Sequence, residues 1–294
     1  MPMTKTDFEL KLSKLSSEVN AAIEKLFCEE CNTELFSSMR YSLSAGGKRI
    51  RPVLLLAFAE CAGIPCEKAM DFALSIELIH TYSLIHDDLP CMDDDDLRRG
   101  RPSNHMVYGY AGALLAGDAL LNGAFELMLS CKTVSAENAM AAAGYIGSTS
   151  GRLGMILGQS LDLANASVSV EERISLSRLK TGAIIRGACV GGLLLGGVRD
   201  EKLLSAAEKY AENLGLAFQM RDDILDVTAT EEELGKPIGS DEEEDKTTFV
   251  SLLGIEETEK RIAALTSEAV SAVSPIDRDG FLAALVQSLA GRNK

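Results

Sequence analysis

At 294 residues, 46% of them apolar, the chain can bury a sizeable core, although aromatics make up only 5% and tryptophan is absent. Its formal net charge of −15 excludes an electrostatic nucleic-acid binder, which needs a basic surface. The charge-free apolar run 187–198 is shorter than the ~20 residues a membrane span needs and holds glycines 187, 191, 192, 196 and 197, so no span is expected.

Ala, Leu, Glu and Met are plentiful, which favours helices over strands. Apolar residues at 12, 15, 19, 23 and 26 recur at helical spacing and predict an amphipathic first helix. Cys28 and Cys31 form a CxxC with no second pair at zinc spacing, so they read as buried thiols. Pro52 fits the first turn of a helix that continues as a buried apolar run over 53–62 and stops at Gly63 and Pro65. Further helices are expected over 72–89 (ending near Pro90), 111–129, 139–161, 174–195 and 201–227. Segment 228–248 carries eight acidic residues against two lysines and reads as a surface flap, after which helical periodicity returns to about Leu289. No alternating strand pattern appears, so the expectation is one all-α domain spanning 1–294. Seven scattered cysteines fit reduced thiols, and residues 1–10 lack the apolar core of a secretory leader; a cytoplasmic location is expected.

The chemistry concentrates in two acidic blocks 135 residues apart, Asp87-Asp88 with Asp93 and Asp222-Asp223 with Asp226. Two like charges ~4 Å apart repel by about 4 kcal/mol at an effective dielectric of ~20, so clustered carboxylates call for a cation. Hard oxygen donors suit Mg²⁺, whose shell is usually completed by water and substrate phosphate. Asp222 and Asp226 stack at i, i+4 on one helix face among apolar neighbours. Asp87 and Asp93 would not align on a straight helix, but a break at Pro90 can bring Asp93 back beside Asp87. The competing reading of the first block is a solvated acidic loop. Gly46-Gly47-Lys48 is not a Walker loop, because position 42 is Ser and position 49 is Arg.

The two blocks resemble the DDxxxxD and DDxxD motifs of trans-isoprenyl diphosphate synthases, nearest to the bacterial short-chain farnesyl type. The likeness extends to Gly-Gly-Lys-Arg-Ile-Arg-Pro (46–52), Leu-Ile-His (78–80), Lys-Thr-Gly (180–182), Gln219, Gly-Lys (235–236) and Asp-Lys-Thr-Thr (245–248). It implies an isoprenoid synthase fold of antiparallel helices around a deep central cavity. It also implies three Mg²⁺ per site, with Mn²⁺ as a substitute, held by Asp87 and Asp93 with Asp88 in support, and by Asp222 with Asp223 and Asp226. Arg98, Lys180, Lys236 and Lys246 would grip an allylic diphosphate, while Gly47, Lys48, Arg51, His80 and Arg99 would form a metal-free pocket for isopentenyl diphosphate. Thr181 and Gln219 would sit beside the allylic cation. A homodimer is implied by the family alone. Tyr82 and Ser83, at i−5 and i−4 from Asp87, would floor the product channel; five residues at 1.5 Å each put Tyr82 roughly 7.5 Å below Asp87, the pattern of C15-producing enzymes. Alternatives are a geranylgeranyl diphosphate synthase and a non-catalytic synthase-like subunit.

Overall fold

In the computed structural model, residues 3–26, 32–164, 169–228 and 247–292 are described. The chain runs α1 (Lys5–Leu26), α2 (Glu34–Leu43), α3 (Ile50–Cys61), α4 (Cys66–Asp87), β1 (Leu97–Arg98), β2 (Arg101–Pro102), α5 (Asn104–Ser130), α6 (Ala136–Ser150), α7 (Met155–Leu163) and α8 (Val170–Ser177). A π-helical turn, Arg178–Gly182, leads into α9 (Ala183–Leu195), followed by α10 (Glu201–Thr228), α11 (Phe249–Leu253), α12 (Ile255–Val273) and α13 (Phe281–Ala290). The all-α expectation holds.

Helices α3, α4 and α9 form the interior. The run Pro52–Ala59 in α3 is wholly buried, and each such Leu contributes about 1.5–3 kcal/mol on leaving water. α4 packs between α3 and α5, α9 lies against α3 and α6, and α10 lies against α12. A second, smaller core joins Leu216, Met220 and Ile224 of α10 to Phe249 and Ile262.

One basic side chain ties four helices at the corner beside the site. Arg49, at the start of α3, is 5% exposed. It donates from Nη1 to Glu77 on α4 at 2.5 Å, from Nε to Asn20 on α1 at 2.9 Å and from Nη2 to the Leu43 carbonyl of α2 at 2.6 Å. The solvated-turn reading of 48–51 therefore fails at Arg49.

Several boundaries differ from expectation. The helix expected over 139–161 is two, α6 and α7, because Gly151 (ψ −153°) and Gly154 (φ −130°, ψ −121°) leave helical geometry. α5 begins seven residues before position 111 and is broken at Gly109 (φ 72°). By length and composition α5 would pass for a membrane span, though it packs against α4 and α2. α2 carried too short an apolar pattern to be anticipated. The Cys28/Cys31 pair and nearly all of the 228–248 flap lie outside the described residues.

Candidate active site

α4 ends at Asp87, and Asp88 caps it. Pro90 stops the helix, and the chain folds back: the Asp93 N–H donates to the Asp87 carbonyl at 2.9 Å, while Met92 and Asp94 donate to the Leu89 carbonyl at 2.8 and 3.2 Å. The expected return of Asp93 to Asp87 is present in the backbone; Asp88 is buried and Asp87 half-buried, while Asp94 and Asp96 are exposed, so the solvated-loop reading holds only for the far end of the block.

Leu97–Arg98 and Arg101–Pro102 pair antiparallel, although no strand was expected. Arg99 (φ 54°) and Gly100 (φ 72°) make the positive-φ turn between them, as two-residue hairpins require. The turn sends the two arginines to different partners. Arg98 donates from Nε to Asp88 at 2.9 Å, pairs with the same carboxylate through Nη2, and reaches Asp95 at 2.9 Å. Arg99 donates to the Gly46 carbonyl, and a Cβ at Gly47 would lie 2.8 Å from its Nη1; the Gly47 φ of 127° itself favours glycine there.

Burial, reinforced by the neighbouring Asp93 charge and opposed by Lys180, pushes the Asp87 carboxyl up to about 7. Burial also raises Asp88, against the pull of Arg98. For Asp87 the folded state keeps a proton that the unfolded state releases above the ordinary value of 3.8, so stability declines as pH rises from about 4 to about 7 and is level beyond that. The decline is at most about 1.4 kcal/mol per pH unit. Thermal melts in chelator should therefore show wild type losing more between pH 5 and pH 8 than Asp87→Asn does. Parallel losses would remove Asp87 as the cause.

The π turn Arg178–Gly182 carries Lys180 and Thr181; such insertions release backbone carbonyls from the regular ladder. It is pressed against α7, where a Cβ at Gly158 would sit 2.3 Å from the Lys180 nitrogen. Lys180 donates to Asp162 of α7 at 2.5 Å, and Arg173 reaches the same carboxylate at 3.4 Å. Thr181 donates to Gln219 at 3.3 Å, and Gln219 donates to Asp223 at 2.9 Å. The turn thus links the two acidic blocks: its lysine acts on Asp87, and its threonine leads to Asp223.

Within the second block the three carboxylates differ. Asp223 accepts from Gln219 and from the Phe249 N–H at 2.7 Å, so both its oxygens brace the chain where it re-enters after 229–246. Asp222 pairs with Arg292, whose guanidinium lies 3.9 Å from the Phe218 ring centroid. Asp226 is 4% exposed.

The basic pocket lies on the other side. Arg51 Nη1 donates to His80 Nε2 at 3.2 Å. Burial first, then Arg51 and Arg99, hold His80 well below its ordinary value, so the imidazole stays neutral. Burial likewise lowers Arg51, and burial together with Arg292 lowers Lys48, while the Asp222 charge steadies both. The buried Arg51 Nε makes no hydrogen bond among the described residues. Crowded cations with an orphaned donor form a site that an anion would relieve.

A model of the polyprenyl synthetase family matches residues 32–277. The chain belongs to that family. It is 39% identical to the farnesyl diphosphate synthase of Haemophilus influenzae, over 97% of this chain and 98% of that protein. It is 42% identical to a chloroplastic geranylgeranyl pyrophosphate synthase of Catharanthus roseus, over 92% of this chain and 77% of that one. The solved geranyltransferase of Helicobacter pylori, in complex with magnesium and isoprenyl diphosphate, superposes with a TM-score of 0.80 at 33% identity, covering 95% of this chain and 96% of that one. This polyprenyl synthetase is a trans-prenyltransferase of the farnesyl or geranylgeranyl diphosphate synthase type.

The structure of this synthetase gathers Asp87, Asp88, Asp93 and Arg98 at one helix end, and Thr181, Gln219 and Asp223 at the next. Lys48, Arg51, His80 and Asp222 share the basic side. Lys236 and Lys246 lie outside the described residues. Asp162 and Arg292 were not anticipated. A lone acid in the apolar stretch 155–163 was the available signal for Asp162; Arg292 had none, since its contact depends on the chain returning to α10.

Proposed function

We propose that this synthetase condenses isopentenyl diphosphate with dimethylallyl or geranyl diphosphate to give (2E,6E)-farnesyl diphosphate. One observation carries the reading: the two acidic blocks meet different cations, Asp88 bonded to Arg98 at 2.9 Å with Lys180 acting on Asp87, and Asp222 paired with Arg292 and acting on Lys48 and Arg51. Two diphosphates need such a division.

The donor set fits Mg²⁺. Asp87 is a half-buried carboxylate whose charged form is disfavoured, and the Asp222 oxygen is met by a guanidinium. Among the described residues no group of three His, Cys, Asp or Glu side chains is placed to hold a metal ion, so an ion here would have to draw on water and substrate oxygens. Asp87 and Asp93, with Asp88 in support, and Asp222, with Asp226 and Asp223 behind it, would hold magnesium (three ions, replaceable by manganese). Bound divalent cations would neutralise negative charge on the allylic diphosphate and make it a better leaving group.

The chain's own groups do the rest. Arg98 and Lys180 take up charge on the leaving oxygen as the C–O bond breaks and its electron pair departs with diphosphate; the family resemblance adds Lys236 and Lys246, which lie outside the described residues. Lys48, Arg51, His80 and Arg99, against Gly47, hold isopentenyl diphosphate so that its alkene faces the allylic carbon. Thr181, Gln219 and the carbonyls of the π turn offer dipoles to the cation without a nucleophile that would trap it. The new C–C bond forms, and the released diphosphate takes the proton.

Tyr82 is 5% exposed, five residues before Asp87 on α4, with Ser83 half-buried beside it. Replacing Tyr82 with Ala should shift product toward C20 or longer, read by chromatography of dephosphorylated products from labelled isopentenyl and geranyl diphosphates. Unchanged length would sink the floor. The geranylgeranyl reading draws support from the Catharanthus relative, and the same chromatogram decides it. α5 turns Met106, Val107, Tyr110 and Leu115 outward, an apolar face that supports a homodimer in a cytoplasmic enzyme.

A further inference from the structure

What holds Tyr82 across the product path matters once it is read as the floor, and this inference rests on that reading. Its hydroxyl is buried and makes no hydrogen bond among the described residues. Burial, with Asp87 nearby, pushes the phenol up to about 12, so the ring stays neutral. With no polar anchor, packing alone sets its rotamer. Residues i and i+4 share a helix face, and His86 meets the Tyr82 ring edge to face, with centroids 5.7 Å apart at 78°.

His86 is itself fixed from α5. Its Nε2 donates to the Leu114 carbonyl at 3.1 Å, which makes Nε2 the protonated nitrogen. A Cβ at the buried Gly117 would lie 2.1 Å from that nitrogen and 2.4 Å from Cδ2. Ala113 and Ala116 beside it are fully buried, so α5 offers a slot one glycine wide, and the imidazole fills it. Asp118 lies 4.0 Å from Nε2 with its side chain 62% exposed, and does not anchor the ring.

We infer that Gly117 and His86 are specificity-determining positioning residues: the slot on α5 seats the imidazole, the imidazole braces the Tyr82 ring, and the brace sets where chain growth stops. Neither needs to touch substrate. A larger residue at position 117 would expel the imidazole from the slot and free the tyrosine to swing aside.

The test is Gly117→Ala, assayed with isopentenyl and geranyl diphosphates under Mg²⁺, with the C20:C15 ratio as readout. The expected result is a rise in that ratio of at least fivefold, and no further rise when Gly117→Ala is added to Tyr82→Ala. Gly123→Ala on the same helix, where a Cβ meets only Leu78 Cδ1 at 3.9 Å, should leave the ratio unchanged. Should Gly117→Ala fail to fold, His86→Gln keeps an amide donor for the Leu114 carbonyl, loses the ring, and should raise the ratio similarly. An unchanged ratio in the folded variant, or full additivity with Tyr82→Ala, overturns the brace while leaving the prenyltransferase reading intact. An unchanged ratio in Tyr82→Ala itself overturns floor and brace together, and absence of any prenyl product from wild type overturns the proposed function instead.

Discussion

Replacing Asp87 with Asn should cut turnover by roughly 10²–10³ or more while the protein remains folded. The change keeps shape and removes charge. A single preorganised group aimed at developing charge is typically worth about 10²–10³ in rate, and Asp87 also balances the charges of Lys180 and Arg98. Folding should not suffer, because the half-buried carboxylate is held where its charged form is disfavoured; an amide there should be neutral or stabilising in the absence of metal. Steady-state assay beside a chelator melt separates the two effects. Full activity in Asp87→Asn would remove the first acidic block from the chemistry. Lost activity with a collapsed fold would make Asp87 a structural residue.

The second large effect is on stability. Arg49→Met should destabilise the protein by about 3–5 kcal/mol, because it leaves the Glu77 carboxylate buried without its charged partner. Both side chains of this pair are 3% exposed. The loss should lower the melting temperature by something on the order of 10 °C. Adding Glu77→Leu should recover part of it, since removing both charges leaves no orphan; the bonds to Asn20 and the Leu43 carbonyl stay lost. If Arg49→Met melts like wild type, the four-helix corner is held by apolar packing instead. By contrast Arg51, two residues on, should matter for substrate affinity more than for melting, as it faces His80 and the basic pocket.

That contrast shows where sequence reading reaches and where it stops. Arg49 and Arg51 sit in one basic stretch with nothing local to separate them. Burial against Glu77, 28 residues away, decides which is structural. The acidic blocks were legible because clustered carboxylates need a reason to coexist and because Pro90 marks the break that returns Asp93. The interior helices α3, α4 and α9 were legible from long apolar patterns. The Arg98–Arg101 hairpin was not, since two-residue strands have no period to read; only Gly100 hinted at the turn. The π turn at Lys180 escaped because it depends on the approach of Gly158 from α7. Gly151 and Gly154 were present as break signals but read as small residues inside one helix. The bonds of Asp223 to Gln219 and the Phe249 N–H were not legible either, since only the folded chain supplies those partners.

The most direct test is to mix purified protein with isopentenyl and geranyl diphosphates and count released diphosphate against allylic product, with Mg²⁺ and then with chelator. The predicted result is one diphosphate for each C–C bond formed, with both signals abolished by chelation and restored by Mg²⁺ or Mn²⁺. Condensation that continues undiminished in chelator, or diphosphate release with no chain extension, would contradict an acid-lined site that ionises one diphosphate while a basic pocket holds the other.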